Sequence, residues 1–203
     1  MGSSKVDSPS RGYFLAKVSL YGVLSFLISL IKFPLFYALS MYKLDFGEGI
    51  ALLGALCEGP FFGVMVALLR FVLSILLRGT RTLFLSEMID FISTGSLAFT
   101  CALYIKKNTI AGLLFGAFVR TFIACVLNYF IILPTFLKMF SCSIESLLNS
   151  ANKLVPFISN LFDFVLYIVA PFNFIKSFFS CTLAFLLYTR IANLLEKGRV
   201  RTV

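Results

Sequence analysis

The stretch GIALLGALCEGPFFGVMVALLRFVLSILL, Gly49 to Leu77, runs for 29 residues with Glu58 and Arg70 as its only charges. About 20 mostly apolar residues carry a helix across a hydrocarbon core of roughly 30 Å, so this run exceeds one crossing. Glu58-Gly59-Pro60 breaks it near its middle, and a proline beside a glycine is a strong punctuator of helix. The stretch therefore predicts two shorter helices meeting at a tight turn.

The whole chain has the same character. Of 203 residues, 60% are hydrophobic and 13% charged, with a mean hydropathy of +0.98. That is more apolar surface than a soluble domain of this size buries, so the bilayer is the solvent. The length holds about six spans and no separate soluble domain. The expected fold class is an all-α integral membrane protein, a six-transmembrane-helix bundle.

On either side of the opening stretch the spans read off in order. Tyr13 to Phe33 forms the first and stops at Lys32 and Pro34. Pro34 to Glu48 is too interrupted to span and too apolar for a free loop, so it folds over something. Arg78 to Thr82 is a short polar connection, and Leu83 to Ile105 is a fourth span with Glu87 and Asp90 in its first half. Thr109 to Met139 contains the fifth, with Arg120, Asn128 and Pro134 inside it. Ser141 to Lys153 reads as a loop or surface helix. Leu154 to Leu195 is too long for one straight crossing, so it begins with a surface segment around Pro156 to Asp163, and Pro171 opens or kinks the crossing part. Residues 1–12 read as a disordered cytoplasmic N-terminus, 13–196 as the transmembrane substrate-binding domain and 197–203 as a basic cytoplasmic tail.

Six crossings put both termini on one side. With the termini in the cytoplasm, Lys5, Arg11, Lys17, Lys106, Lys107, Arg190, Lys197, Arg199 and Arg201 lie inside. Lys32, Lys43, Arg78, Arg81, Lys138 and Lys153 lie outside. The excess of cations inside supports this orientation. The net charge of +9 is spread between and beyond the apolar runs and forms no continuous patch, which speaks for anionic head groups as partners and against nucleic acid. The chain has no histidine, and its five cysteines contain no C-x-x-C pair, which disfavours zinc and Ser-His chemistry. An enzyme is not expected.

Ionisable and amide groups inside spans are costly unless they are paired or face a water-filled cavity. Here they are Arg70, Glu87, Asp90, Arg120, Asn128, Asn173 and Lys176. Glu87 and Asp90 share a helix face, as do Asn173 and Lys176. In the orientation above most of the seven gather in the outer half of the bundle, the geometry of a site loaded from outside. Carboxamides donate and accept, which suits a polar, ring-containing small solute. The plainer alternative is that these groups pair with one another and bind helix to helix.

Four strings carry a family resemblance. LDFGEGIALLGALCEGPFFGVMVALLRFVLSIL (Leu44 to Leu76), SEMIDFISTG (Ser86 to Gly95), NYFIILP (Asn128 to Pro134) and PFNFIKS (Pro171 to Ser177) resemble, in the same order, segments of the riboflavin-specific S-component of energy-coupling-factor (ECF) vitamin transporters. The last string is the most specific. The resemblance implies a six-helix subunit of the bacterial cytoplasmic membrane that binds riboflavin from outside beneath its first loop. A transmembrane T-component and two ABC ATPase subunits would drive release inward.

It also implies that Asn128, Asn173 and Lys176 contact the isoalloxazine or ribityl groups and that Glu87, Asp90 and Arg70 line the site. Met41, Lys43, Leu44, Asp45 and Phe46 would belong to its lid. Arg70 stands where the family usually has lysine. Ser19, Gly22 and Ser25 stand for the family's small-residue motif that docks the T-component. No cofactor is implied beyond the transported flavin, and no G-x-x-x-x-G-K-[ST] loop is present to hydrolyse ATP. The alternatives left open are an S-component for FMN or another vitamin, and a structural membrane protein.

Overall fold

A computed structural model describes residues 11–35, 42–79, 84–105, 108–139, 141 and 143–200, with backbone alone for 193–200. The described residues are mainly helical, with one small hairpin. Helices α1 (Arg11–Ser29), α2 (Gly47–Glu58), α3 (Pro60–Leu73), α4 (Leu85–Tyr104), α5 (Thr109–Leu127), α6 (Leu133–Met139), α7 (Ile144–Asn152), α8 (Leu161–Phe164) and α9 (Ala170–Val200) follow in order. Strands β1 (Lys32–Pro34) and β2 (Lys43–Asp45) lie between α1 and α2. Three wider π-turns, Ser74–Arg78, Asn128–Ile132 and Val165–Val169, extend α3 and join α5 to α6 and α8 to α9. The described residues thus form seven continuous helical rods, one more than the expected six; the extra rod is α7, on the segment read as a loop or surface helix.

Both mid-helix π-turns have a proline as their cause. Pro134 and Pro171 each follow a π-turn by two residues. A proline has no N–H for the helix ladder and its ring crowds the carbonyl four residues back, so the preceding turn widens and the helix continues. Pro171 was expected to open or kink the last span; it stands in the first turn of α9, directly after the π-turn Val165–Val169, and α9 runs on to Val200.

The break at Glu58-Gly59-Pro60 forms as read. Gly59 takes φ +112°, a conformation that side-chain-bearing residues avoid, and Pro60 occupies the first turn of α3 where its missing N–H costs nothing. Two boundaries differ from the sequence reading. α1 starts at Arg11, ends at Ser29 and does not reach Phe33, because residues 32–34 leave it to pair antiparallel with 43–45 (Lys32 opposite Asp45, Pro34 opposite Lys43). α2 starts at Gly47 and takes Glu48 into its first turn.

α2 is the centre of the bundle. From Gly47 to Leu56 every residue is buried, so a helix that is apolar nearly all round is surrounded by protein. It packs on α1, α3, α4 and α9. Small residues allow the close approaches. A Cβ on Gly47 would collide with the Ser25 carbonyl, and one on Gly116 of α5 with the Cys101 sulfur of α4.

Among the described residues, four segments are long and apolar enough to cross a membrane: Arg11–Ser29, Pro60–Arg78, Thr109–Met139 and Leu161–Ala192. α4, with 20 residues, has the length but carries Glu87 and Asp90, and α2 has only 12 residues.

Candidate functional site

Six charged groups from six elements meet in the middle of the bundle. Lys176 of α9 lies 3.2 Å from Asp45 at the end of β2, 2.6 Å from Glu48 of α2 and 3.1 Å from Asp90 of α4. Arg70 of α3 pairs with Asp90 and lies 3.4 Å from Asp45. Arg120 of α5 reaches Glu48 at 2.7 Å, and its other terminal nitrogen donates to the carbonyl and side-chain oxygens of Asn173. Ser180 adds a 3.3 Å bond to Glu48. Three carboxylates thus balance three cations. Glu48 is wholly buried and only Asp90 has an open side chain, at 34% exposure. Such a group is tolerated because each charge is paired and hydrogen-bonded. Burial alone would raise the Asp45 carboxyl above its ordinary value, but Lys176 and Arg70 outweigh it and hold the group below.

This network borders a cavity of about 910 Å³, in the size range of small-molecule sites. Its lining follows helical spacing. α3 with its extension gives Ala67, Arg70, Phe71 and Ser74, α4 gives Glu87, Asp90 and Thr94, and α5 with its extension gives Arg120, Ala124, Asn128 and Ile132. Phe172, Asn173 and Lys176 come from α9. Strand alternation turns Lys32, Lys43 and Asp45 to the cavity. Burial first, then the like charge of Arg78, pushes the Lys32 ammonium below the usual lysine value. Phe71 packs against Phe91 with ring centroids 5.6 Å apart, and Tyr42 against Phe172 at 5.0 Å, so the walls present aromatic faces between polar groups.

Residues 13–188 match the family described as ECF transporter, substrate-specific component. The chain belongs to that family. It is 29% identical over 188 residues to the riboflavin transporter RibU of Staphylococcus aureus, covering 90% of this chain and 92% of the relative. It is 28% identical over 193 residues to the riboflavin transporter FmnP of Bacillus subtilis, covering 91% and 95%. A solved structure described as the S component of a bacterial ECF transporter superposes with a TM-score of 0.70 at 25% identity, covering 92% of this chain and 99% of the other. The chain thus shares the fold of a transporter subunit along nearly its whole length.

Within this S-component the expected site residues separate into groups. Arg70, Asp90, Asn173, Lys176 and Asp45 come together in the ion network, and Asn128, Glu87 and Lys43 line the cavity above it. Asn128 gives its amide N–H to the Ala124 carbonyl at 2.7 Å, which leaves its oxygen without a partner among the described residues. Asn173 is held at both ends, by Arg120 and by the Val169 carbonyl. Leu44 lies on the other face of the hairpin and packs into the apolar cluster around Tyr42, while Phe46 packs edge-on against Phe33. Neither lines the cavity. Met41 lies outside the described residues.

Two of the three α1 residues expected to dock the T-component pack inside the chain. Gly22 is buried against Leu69, and Ser25 is fully buried and donates to the Gly47 carbonyl at 2.6 Å. Internal packing uses both, and only Ser19 of the three stays on the outer surface. The sequence reading also left Glu48 and Arg120 out of the site. Arg120 was visible as an intramembrane charge with no partner assigned. Glu48 was hidden at the end of an apparent loop, and only the earlier start of α2 turns it inward.

Proposed function

We propose that this S-component captures riboflavin at the outer face of the bacterial cytoplasmic membrane and delivers it to a T-component driven by two ABC ATPases. The observation that carries the reading is the polar cavity lined by α3, α4, α5, α9 and the hairpin, in a chain whose relatives are named riboflavin transporters. Six crossings serve it: α1, α2, α3, α4, α5 with α6, and α8 with α9, both termini being cytoplasmic. α4 spans about 30 Å. α2 is shorter and sits where protein, not lipid, surrounds it.

In this proposal the isoalloxazine ring lies between aromatic walls. Asn128 meets its polar edge through the unpaired oxygen. Asn173 and Lys176 reach the flavin by exchanging one network contact each, Asp90 being the carboxylate with an open side. Glu87 and Lys43 border the entrance, and residues 41–46 act as the lid. The pairing of Glu48 with both Arg120 and Lys176 favours a second role for those three, as the bond that holds α2, α5 and α9 together.

The test is titration of detergent-purified protein with riboflavin, followed by quenching of flavin fluorescence. Quenching is expected at micromolar protein, with Asn128→Ala weakening it about tenfold through one lost hydrogen bond. Unquenched flavin would end the reading, and a thermal-shift panel of other vitamins would then identify the ligand.

A further inference from the structure

Phe157 carries two costs at once in the loop between α7 and α8. Its ring is 89% exposed, the most of any large apolar side chain among the described residues. Its backbone takes φ +97°, which a bulky residue rarely adopts and a glycine takes freely. The loop is firmly built around it. Asn152 closes the neck, donating its amide N–H to the Ile158 carbonyl at 3.1 Å and accepting from the Ile158 N–H at 3.0 Å. The Leu154 and Val155 N–H groups donate to the Ala151 carbonyl at 2.9 and 3.0 Å, and the Ser159 N–H to the Asp163 carboxylate at 3.1 Å. Ile158 points the other way, 2% exposed, and joins Leu147 and Ala151 of α7 in the apolar cluster around Phe164 and Ile168. The inward place is thus taken, and Phe157 is turned out. An apolar ring left in water on a strained backbone is offset by nothing among the described residues, so what offsets it lies outside the chain.

The position of the loop decides what covers it. The apolar segments Thr109–Met139 and Leu161–Ala192 end and begin on either side of it, so the residues between them sit at one boundary of the hydrocarbon. The internal hydrogen bonds of the loop are the condition for entering lipid, where no water satisfies backbone groups. Lys153 is exposed in the same loop, and its ammonium suits a lipid phosphate while its stem and the exposed part of Leu154 lie along apolar surroundings. We infer that residues 152–163 dock on phospholipid at the bilayer surface, with the Phe157 ring inserted below the phosphates and Lys153 at their level. Lipid then holds this loop from outside, as the cluster around Ile158 holds it from inside. The anchoring is independent of the solute that the cavity takes.

The chain contains no tryptophan, so Phe157→Trp places a single indole in the full-length protein. This variant and a reference, Asn149→Trp, are reconstituted into vesicles of phosphatidylcholine and phosphatidylglycerol. Asn149 is exposed and lies opposite Leu147 and Ala151 on α7. Vesicles whose lipids carry bromine about 5–10 Å below the phosphates, the depth that an inserted interfacial side chain reaches, are compared with unbrominated ones. The indole at position 157 is expected to emit to the blue of the one at position 149, to be shielded from acrylamide and to be quenched by bromine at least about twofold more strongly. Its emission is expected to stay constant as the protein is diluted in lipid. Equal bromine quenching at the two positions, or an indole at position 157 open to acrylamide, would overturn the anchor. A red shift on dilution would overturn it too, because a second copy of the chain would then be what covers the ring. Circular dichroism checks folding, and Leu154→Trp, in the same loop, replaces Phe157→Trp if that variant does not fold, with the same expected and overturning results.

Discussion

Replacing Arg120 by methionine tests the charge balance at the centre of the bundle. Arg120 has a side chain 2% exposed, lies 2.7 Å from a wholly buried Glu48 and also holds Asn173. The substitution fills similar space and leaves three carboxylates facing Arg70 and Lys176. Removing one partner of a buried ion pair costs about 3–5 kcal/mol. Lys176 remains 2.6 Å from Glu48, which puts the expected loss at the low end, about 3 kcal/mol. For a chain of this size that lowers Tm by about 6–12 °C. The double variant Glu48→Gln/Arg120→Met restores two charges of each sign. It should be more stable than the sum of the single losses by about 1–2 kcal/mol. Thermal unfolding of the ligand-free protein in detergent, read by a thiol-reactive dye on the buried cysteines, measures Arg120→Met, Glu48→Gln and the double variant. A loss below about 1 kcal/mol for Arg120→Met, or strict additivity in the cycle, would refute the view that these two groups compensate each other.

Gly47→Ala should destabilise by about 1–3 kcal/mol, because the new methyl meets the Ser25 carbonyl where α1 and α2 touch; wild-type stability would show that α1 moves aside freely. Lys17→Met should change stability by less than about 0.5 kcal/mol, since its 2.7 Å bridge to Glu58 is partly exposed; a loss above about 1 kcal/mol would contradict this. The Asp45 carboxyl is held below its ordinary value when folded, so its stabilisation is fully present above about pH 4 and is lost as pH falls through the lower folded value. Melting curves should therefore show no pH dependence from Asp45 between about pH 5 and 8, and Asp45→Asn should remove part of the decline on the acid side. A wild-type transition near neutrality that Asp45→Asn abolishes would reverse that sign.

The helices were legible because lipid solvent leaves a plain record in sequence. Gly49 to Leu77 announced its own turn at Gly59-Pro60, and the intramembrane charges announced a polar interior. Partnership was not legible. Nothing local ties Glu48 to Arg120 and Lys176, and the hairpin that decides which face Asp45 and Leu44 present involves only three residues on each side. The small residues Gly22 and Ser25 illustrate the same limit. Their size shows that something approaches closely, but a neighbouring helix of the same chain and a separate subunit call for the same side chains.

The π-turns bear on how such a chamber adapts to its contents. Ser74–Arg78 and Asn128–Ile132 each contribute residues to the cavity wall, and each holds more residues per turn than the helix around it. The upper wall thus has slack in its winding, while the ionic floor, pinned through six side chains, has none.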